Sequence, residues 1–155
     1  MKRWLSILLM LNISGCAVPY VPPNSGPVTT IRFINESSRK LEIAYFEESQ
    51  GCKRRRTAPM IFSGEEAQHT VRANSDLTFQ YYLTSKSIGG EQYCLTNLRF
   101  FPKDSEKYIF RTTDDSSECK WVMYEESDVN RSNLIKLESI PWSRGVVEDS
   151  SWCDK

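Results

Sequence analysis

The chain has 155 residues, and its 20 Lys and Arg balance 20 Asp and Glu for a formal net charge of zero at pH 7. That length suits one domain able to bury roughly two thirds of its unfolded surface, and the charge balance gives no argument for nucleic acid. Seven Tyr, seven Phe and four Trp favour strands, and no apolar run reaches the roughly 20 residues of a membrane-spanning helix.

The first element is the basic pair Lys2-Arg3 ahead of a short apolar run over residues 4–11. Small residues Ser14 and Gly15 then precede Cys16, in the order of an export signal and its cut site. Ile13-Ser14-Gly15-Cys16 resembles the lipobox of bacterial lipoproteins, with Cys16 as the lipidated residue. The resemblance implies that residues 1–15 are a signal peptide and that Cys16 becomes the acylated N-terminus. One acyl chain holds a protein on a membrane only marginally, whereas two or more hold it stably. Ala17 replaces the aspartate that retains enterobacterial lipoproteins in the inner membrane, so the expected address is the outer membrane, facing periplasm or exterior. Removal of Lys2 and Arg3 leaves 18 basic against 20 acidic side chains.

Residues 16–28 contain Pro19, Pro22, Pro23, Pro27 and Gly26 without helical or alternating pattern. Such a composition predicts an extended, disordered tether that lifts a domain from the membrane surface. The domain is expected over residues 29–155. Residues 29–35 and 40–46 alternate apolar and polar side chains on either side of a polar turn, which predicts a β-hairpin. Residues 47–60, with Cys52, read as a loop. Further strands are expected at 68–72, at 77–83 with Leu77, Phe79, Tyr81 and Leu83 on one face, and at 92–101 up to Pro102. Others follow at 106–112, at 118–124 with Cys119, Trp121 and Met123 on one face, and at 134–140 before Pro141. The tail contains Trp142, Trp152 and Cys153 and is expected to be anchored. Together these elements predict an all-β, antiparallel sandwich of seven to eight strands, immunoglobulin-like or similar, with an open barrel as the alternative.

With Cys16 assigned to lipid, Cys52, Cys94, Cys119 and Cys153 form an even set, as in a disulfide-stapled exported domain. The expected pairing is Cys94–Cys119 with Cys52–Cys153; the alternative is Cys52–Cys94 with Cys119–Cys153. Zinc is disfavoured because the chain has no Cys-x-x-Cys pair and only His69 as a histidine. Cys94, Phe100-Phe101-Pro102, the polar turn 103–107, Tyr108 and Cys119-Lys120-Trp121 together resemble a pattern in small proteobacterial outer-membrane lipoproteins. That resemblance implies a disulfide-containing β-sandwich and a location, and no activity.

Lys53-Arg54-Arg55-Arg56 is the sharpest charge feature and a candidate site for an anion or an acidic partner. Glu47, Glu48, Glu65 and Glu66 are close enough in sequence to balance it instead. His69 is the only candidate base, and no nucleophile motif accompanies it. The pairs Glu47-Glu48, Glu65-Glu66, Asp114-Asp115 and Glu125-Glu126 fall at strand ends, where solvated acids are usual. Asp114, Asp115 and Glu118 fit no EF-hand spacing. Tyr81, Tyr82, Tyr108, Trp121 and Trp142 read mainly as core or cross-strand aromatics, with a sugar-stacking platform as the rarer use. The expected function is therefore a non-catalytic envelope lipoprotein without cofactor, presenting its sandwich to an envelope protein or polymer. Alternatives are a secretion-apparatus accessory, an inhibitor acting through the 47–60 loop or, last, a hydrolase.

Overall fold

A computed structural model describes residues 17–87, 90–115, 118–143 and 150–153. The described chain is all-β: two sheets pack face to face, as the alternation predicts, and the sandwich carries a disulfide between Cys52 and Cys153. One sheet holds β1 (Val28–Asn35), β4 (Glu66–Arg72), β7 (Lys107–Asp115) and β8 (Glu118–Glu125) in the order β4-β1-β7-β8. The other holds β2 (Lys40–Glu48), β3 (Lys53–Thr57), β5 (Leu77–Ser87), β6 (Gly90–Phe100) and β9 (Glu138–Ile140), ordered β3-β2-β5-β6-β9. Neighbouring strands run antiparallel except β1 and β7, which are parallel.

The inward faces follow the period of two. Ile31 and Phe33, then Leu41, Ile43 and Tyr45, then Phe79, Tyr81 and Leu83 are all buried in one core. Phe33, Phe79 and Phe110 meet across the two sheets with ring centroids 5.5–5.8 Å apart, tilted or edge-on. Each such pair contributes roughly 0.5–1.5 kcal/mol beyond its buried area. Trp121 stacks on Phe110 from β8 at 6.1 Å.

Four expectations change. β1 and β2 do not form a hairpin, because they belong to different sheets and residues 36–39 carry the chain from one to the other. The buried side chain of Asn35 holds this corner. Its Nδ2 donates to the carbonyls of Arg39 (2.8 Å) and Ile61 (3.0 Å), while its Oδ1 accepts from Ser37 and Thr112. The expected loop 47–60 contains a ninth strand, β3, entered through a short 3-10 turn at Ser49–Gly51 and left-handed backbone at Cys52. Of the strand expected at 134–140, only Glu138–Ile140 pairs with β6. Leu134 instead bridges Tyr124 and Ile135 N–H donates to Met123, so this segment crosses from β8 to β6.

The fourth change concerns the proline-rich stretch, part of which is fixed to the domain. Tyr20 N–H donates to the Thr57 carbonyl and Thr57 N–H to the Val18 carbonyl, at 2.9 and 3.0 Å. The Tyr20 ring lies 4.2 Å from that of Tyr45, and its hydroxyl donates to the Thr70 carbonyl. The sequence is extended, as composition requires, but a bulky aromatic gives it a docking point.

Candidate functional site

The face of the five-stranded sheet that points away from the sandwich is not an ordinary solvated surface. Thr78, Gln80 and Asn97 lie on it and are buried, as are Ala44 and Phe46. The C-terminal residues cover them. Cys153 is bonded to Cys52, Trp142 pairs with Cys153 in an isolated bridge, and Trp152 N–H donates to the Cys52 carbonyl at 3.0 Å. A second small core forms there from Phe46, Cys52 and Cys153, with Ile140 and Trp152 packed against it. The tail is thus a third layer, anchored as its Trp and Cys content predicts.

Beneath the tail runs a chain of polar side chains across the strands. Asn97 Nδ2 donates to the Trp152 carbonyl at 2.8 Å, and Gln80 Nε2 donates to Asn97 Oδ1 at 3.1 Å. Arg55 Nε donates to Gln80 Oε1 at 3.1 Å, Nη1 donates to Thr57 Oγ1 at 2.9 Å, and Nη2 pairs with Glu42. Ala44 makes this reach possible. It stands between Thr57 on β3 and Gln80 on β5, and its methyl group lets Arg55 lie across β2. The guanidinium also sits 5.1 Å from the centre of the Trp152 ring, in a cation–π contact.

Above this floor opens a cleft of about 270 Å³, walled by Tyr82, Tyr93, Leu95, Trp142 and Trp152. Glu42, Arg55 and Gln80 form its base. A wider cavity of about 510 Å³ shares Tyr93, Leu95 and Trp142 and continues past Cys94 and Thr96 to Trp121. Tyr93 is 65% exposed and Trp142 39%. The Trp152 Nε1 is buried and has no hydrogen-bond partner among the described residues. Apolar walls with a few convergent polar groups are the usual make-up of a ligand site.

The sequence candidates separate in the structure. Of the four cations, Arg55 alone forms the cleft floor. Arg56 pairs with Glu47 at 2.8 Å, Arg54 lies 3.8 and 3.6 Å from Glu47 and Glu48, and Lys53 is exposed. Edge-strand geometry therefore divides the basic run, and neighbouring acids balance part of it. Glu126 pairs with Arg32 at 3.4 Å, and Glu65 accepts from Phe62 N–H. Cys16 and the side chains of Cys119, Asp114, Asp115 and Glu118 lie outside the described residues. Cys94 is disulfide-bonded, and Arg39 Nη1 lies 3.2 Å from its sulfur.

His69 belongs to the core. Its Nδ1 and the Tyr45 hydroxyl share a hydrogen bond of 2.8 Å, and the Phe33 ring lies 5.0 Å away. Burial lowers the imidazole pKa to about 4, so the ring is neutral at pH 7. Burial also raises the Tyr45 hydroxyl well above its usual range and Tyr20 to about 12.

Tyr82 and Trp142, which the sequence suggests are mainly core or cross-strand aromatics, stand instead on the cleft wall, beside Trp152, expected only as a tail anchor; Tyr93, Gln80 and Glu42 were not singled out. One signal was available: Gln80 and Tyr82 have the parity opposite to the apolar face of their strand. No known protein-family model matches the chain, and no curated protein is similar to it beyond chance.

Proposed function

We propose that this chain is a non-catalytic lipoprotein of the bacterial envelope, held in the outer membrane through Cys16, with the sandwich acting as a binding module. Ile13-Ser14-Gly15-Cys16 after Lys2-Arg3 supports the anchor, and the Cys52–Cys153 bond suits an oxidising compartment. The observation that carries the binding reading is the aromatic cleft over the Arg55–Gln80–Asn97 chain. Exposed aromatics around buried, hydrogen-bonded polar groups give contact area and orientation together. His69, the one histidine available as a base, is instead bonded to Tyr45 within the core. The inhibitor reading has less support, since the centre of residues 47–60 is the paired strand β3 rather than a projecting loop.

Photo-crosslinking in intact cells tests the binding reading. A photoreactive residue at position 93 should capture a discrete envelope component. The same group at position 129, where Val129 is 89% exposed away from the cleft residues, should not. Identical products from both positions, or none from position 93, would remove the cleft as the docking place.

A further inference from the structure

We infer that the cleft binds a neutral saccharide, a reading that rests on its being the docking place proposed above. Three properties select this ligand class. The first is the ring surface: Tyr93 and Trp142 keep 65% and 39% of their area exposed beside Tyr82 and Leu95. Flat aromatic faces match the C–H faces of a pyranose ring, whose other edges are hydroxyl groups. A wholly apolar ligand would use the walls but would desolvate the Glu42 carboxylate, whose side chain is 27% exposed, without replacing its hydrogen bonds to water.

The second property is charge. The Arg55 guanidinium is already paired with Glu42 and bonded to Gln80 and Thr57, so the floor offers an internally neutralised pair. An anionic ligand would meet the Glu42 carboxylate, and a cationic one would meet Arg55. Neutral hydroxyls meet neither penalty. A hydroxyl both donates and accepts, which suits the remaining capacity of a carboxylate and a primary amide side by side.

The third property is size. The cleft volume of about 270 Å³ is near the lower end of ligand sites, and the adjoining 510 Å³ cavity shares three wall residues with it. The adjoining cavity leaves room beside the cleft for a further unit of a linear glycan.

The test uses the full-length protein in detergent, applied to a printed array of neutral and acidic bacterial glycans and to a peptide array. A neutral glycan that binds is then titrated while the tryptophan indole N–H resonances are followed. The expected result is saturable binding with the largest shifts at Trp142 and Trp152, the two indoles on the cleft wall. Tyr93→Ala should weaken it roughly tenfold, the loss of one aromatic contact. Trp142→Phe should weaken it less, and Val129→Ala should leave it unchanged. Binding confined to acidic glycans would overturn the assignment of a neutral ligand. Peptide binding that depends on Tyr93, with no glycan bound, would overturn the saccharide and keep the binding module. No ligand on either array would overturn both.

Discussion

At the scale of single residues, His69 shows how parity and chemistry must be read together. It alternates onto the inward face of β4, opposite Ile31 of β1, and is sealed by Tyr20, Tyr45 and Phe33. A ring held neutral there has a folded pKa of about 4, lowered from 6.5 by burial. Above 6.5 the folded and unfolded states are both neutral, and the group has no effect on pH dependence. Below it the unfolded chain takes up a proton that the folded one refuses, so stability falls until about 4 and then levels. Between pH 7 and pH 5 the expected loss is about 2 kcal/mol, from the linkage relation. Urea midpoints across that range should show this decline. His69→Gln, which keeps a polar partner for Tyr45, should lower stability at pH 7 and flatten the slope. A wild-type midpoint independent of pH over this window would contradict a buried neutral ring.

Elements add what residues alone do not specify. The C-terminal tail has no periodic pattern that predicts its path, yet it supplies Trp142 and Trp152 to the cleft because Cys153 is bonded to Cys52. The bond closes a sequence separation of 101 residues. In the chain-entropy account a loop of that order removes roughly 4–5 kcal/mol of freedom from the unfolded state. Cys153→Ser should therefore lower the urea-unfolding free energy by about that amount, less any relaxation of the tail. Trp152 should also become solvated, seen as a red shift in tryptophan emission at denaturant concentrations where the sandwich persists. Unchanged emission would mean that Asn97, whose amide holds the Trp152 carbonyl, fixes the tail without the disulfide.

For the whole molecule, the fold class was legible because inward apolar positions recur at period two in strand after strand. Leu77, Phe79, Tyr81 and Leu83 all lie in the core as that pattern requires. Partition between the sheets was not legible. A polar four-residue turn suits a hairpin as well as a corner, and what decides here is Asn35 reaching Ile61, 26 residues away. The cleft was half legible: its aromatics stand out in the sequence, but the floor depends on Arg55 crossing over Ala44, which only strand order reveals.

Strand order also bears on the remaining cysteines. β6 and β8 lie toward the same side of the sandwich, since the segment 134–140 passes from Tyr124 on β8 to Asn97 on β6. Cys94 and Trp121 line one cavity at that opening, and Cys119 precedes Trp121 by two residues in β8. Cys94 is disulfide-bonded, and Cys52 and Cys153 are occupied by each other, which leaves Cys119 and Cys16 as partners. A bond to Cys16 would consume the thiol that the lipobox resemblance assigns to the membrane. The expected non-reducing peptide map therefore contains a Cys94–Cys119 peptide, a Cys52–Cys153 peptide and an N-terminal peptide beginning at acylated Cys16. A Cys16–Cys94 peptide would exclude lipidation at that residue and remove the membrane anchor. A free Cys119 beside an acylated Cys16 would exclude the second staple and leave the anchor standing.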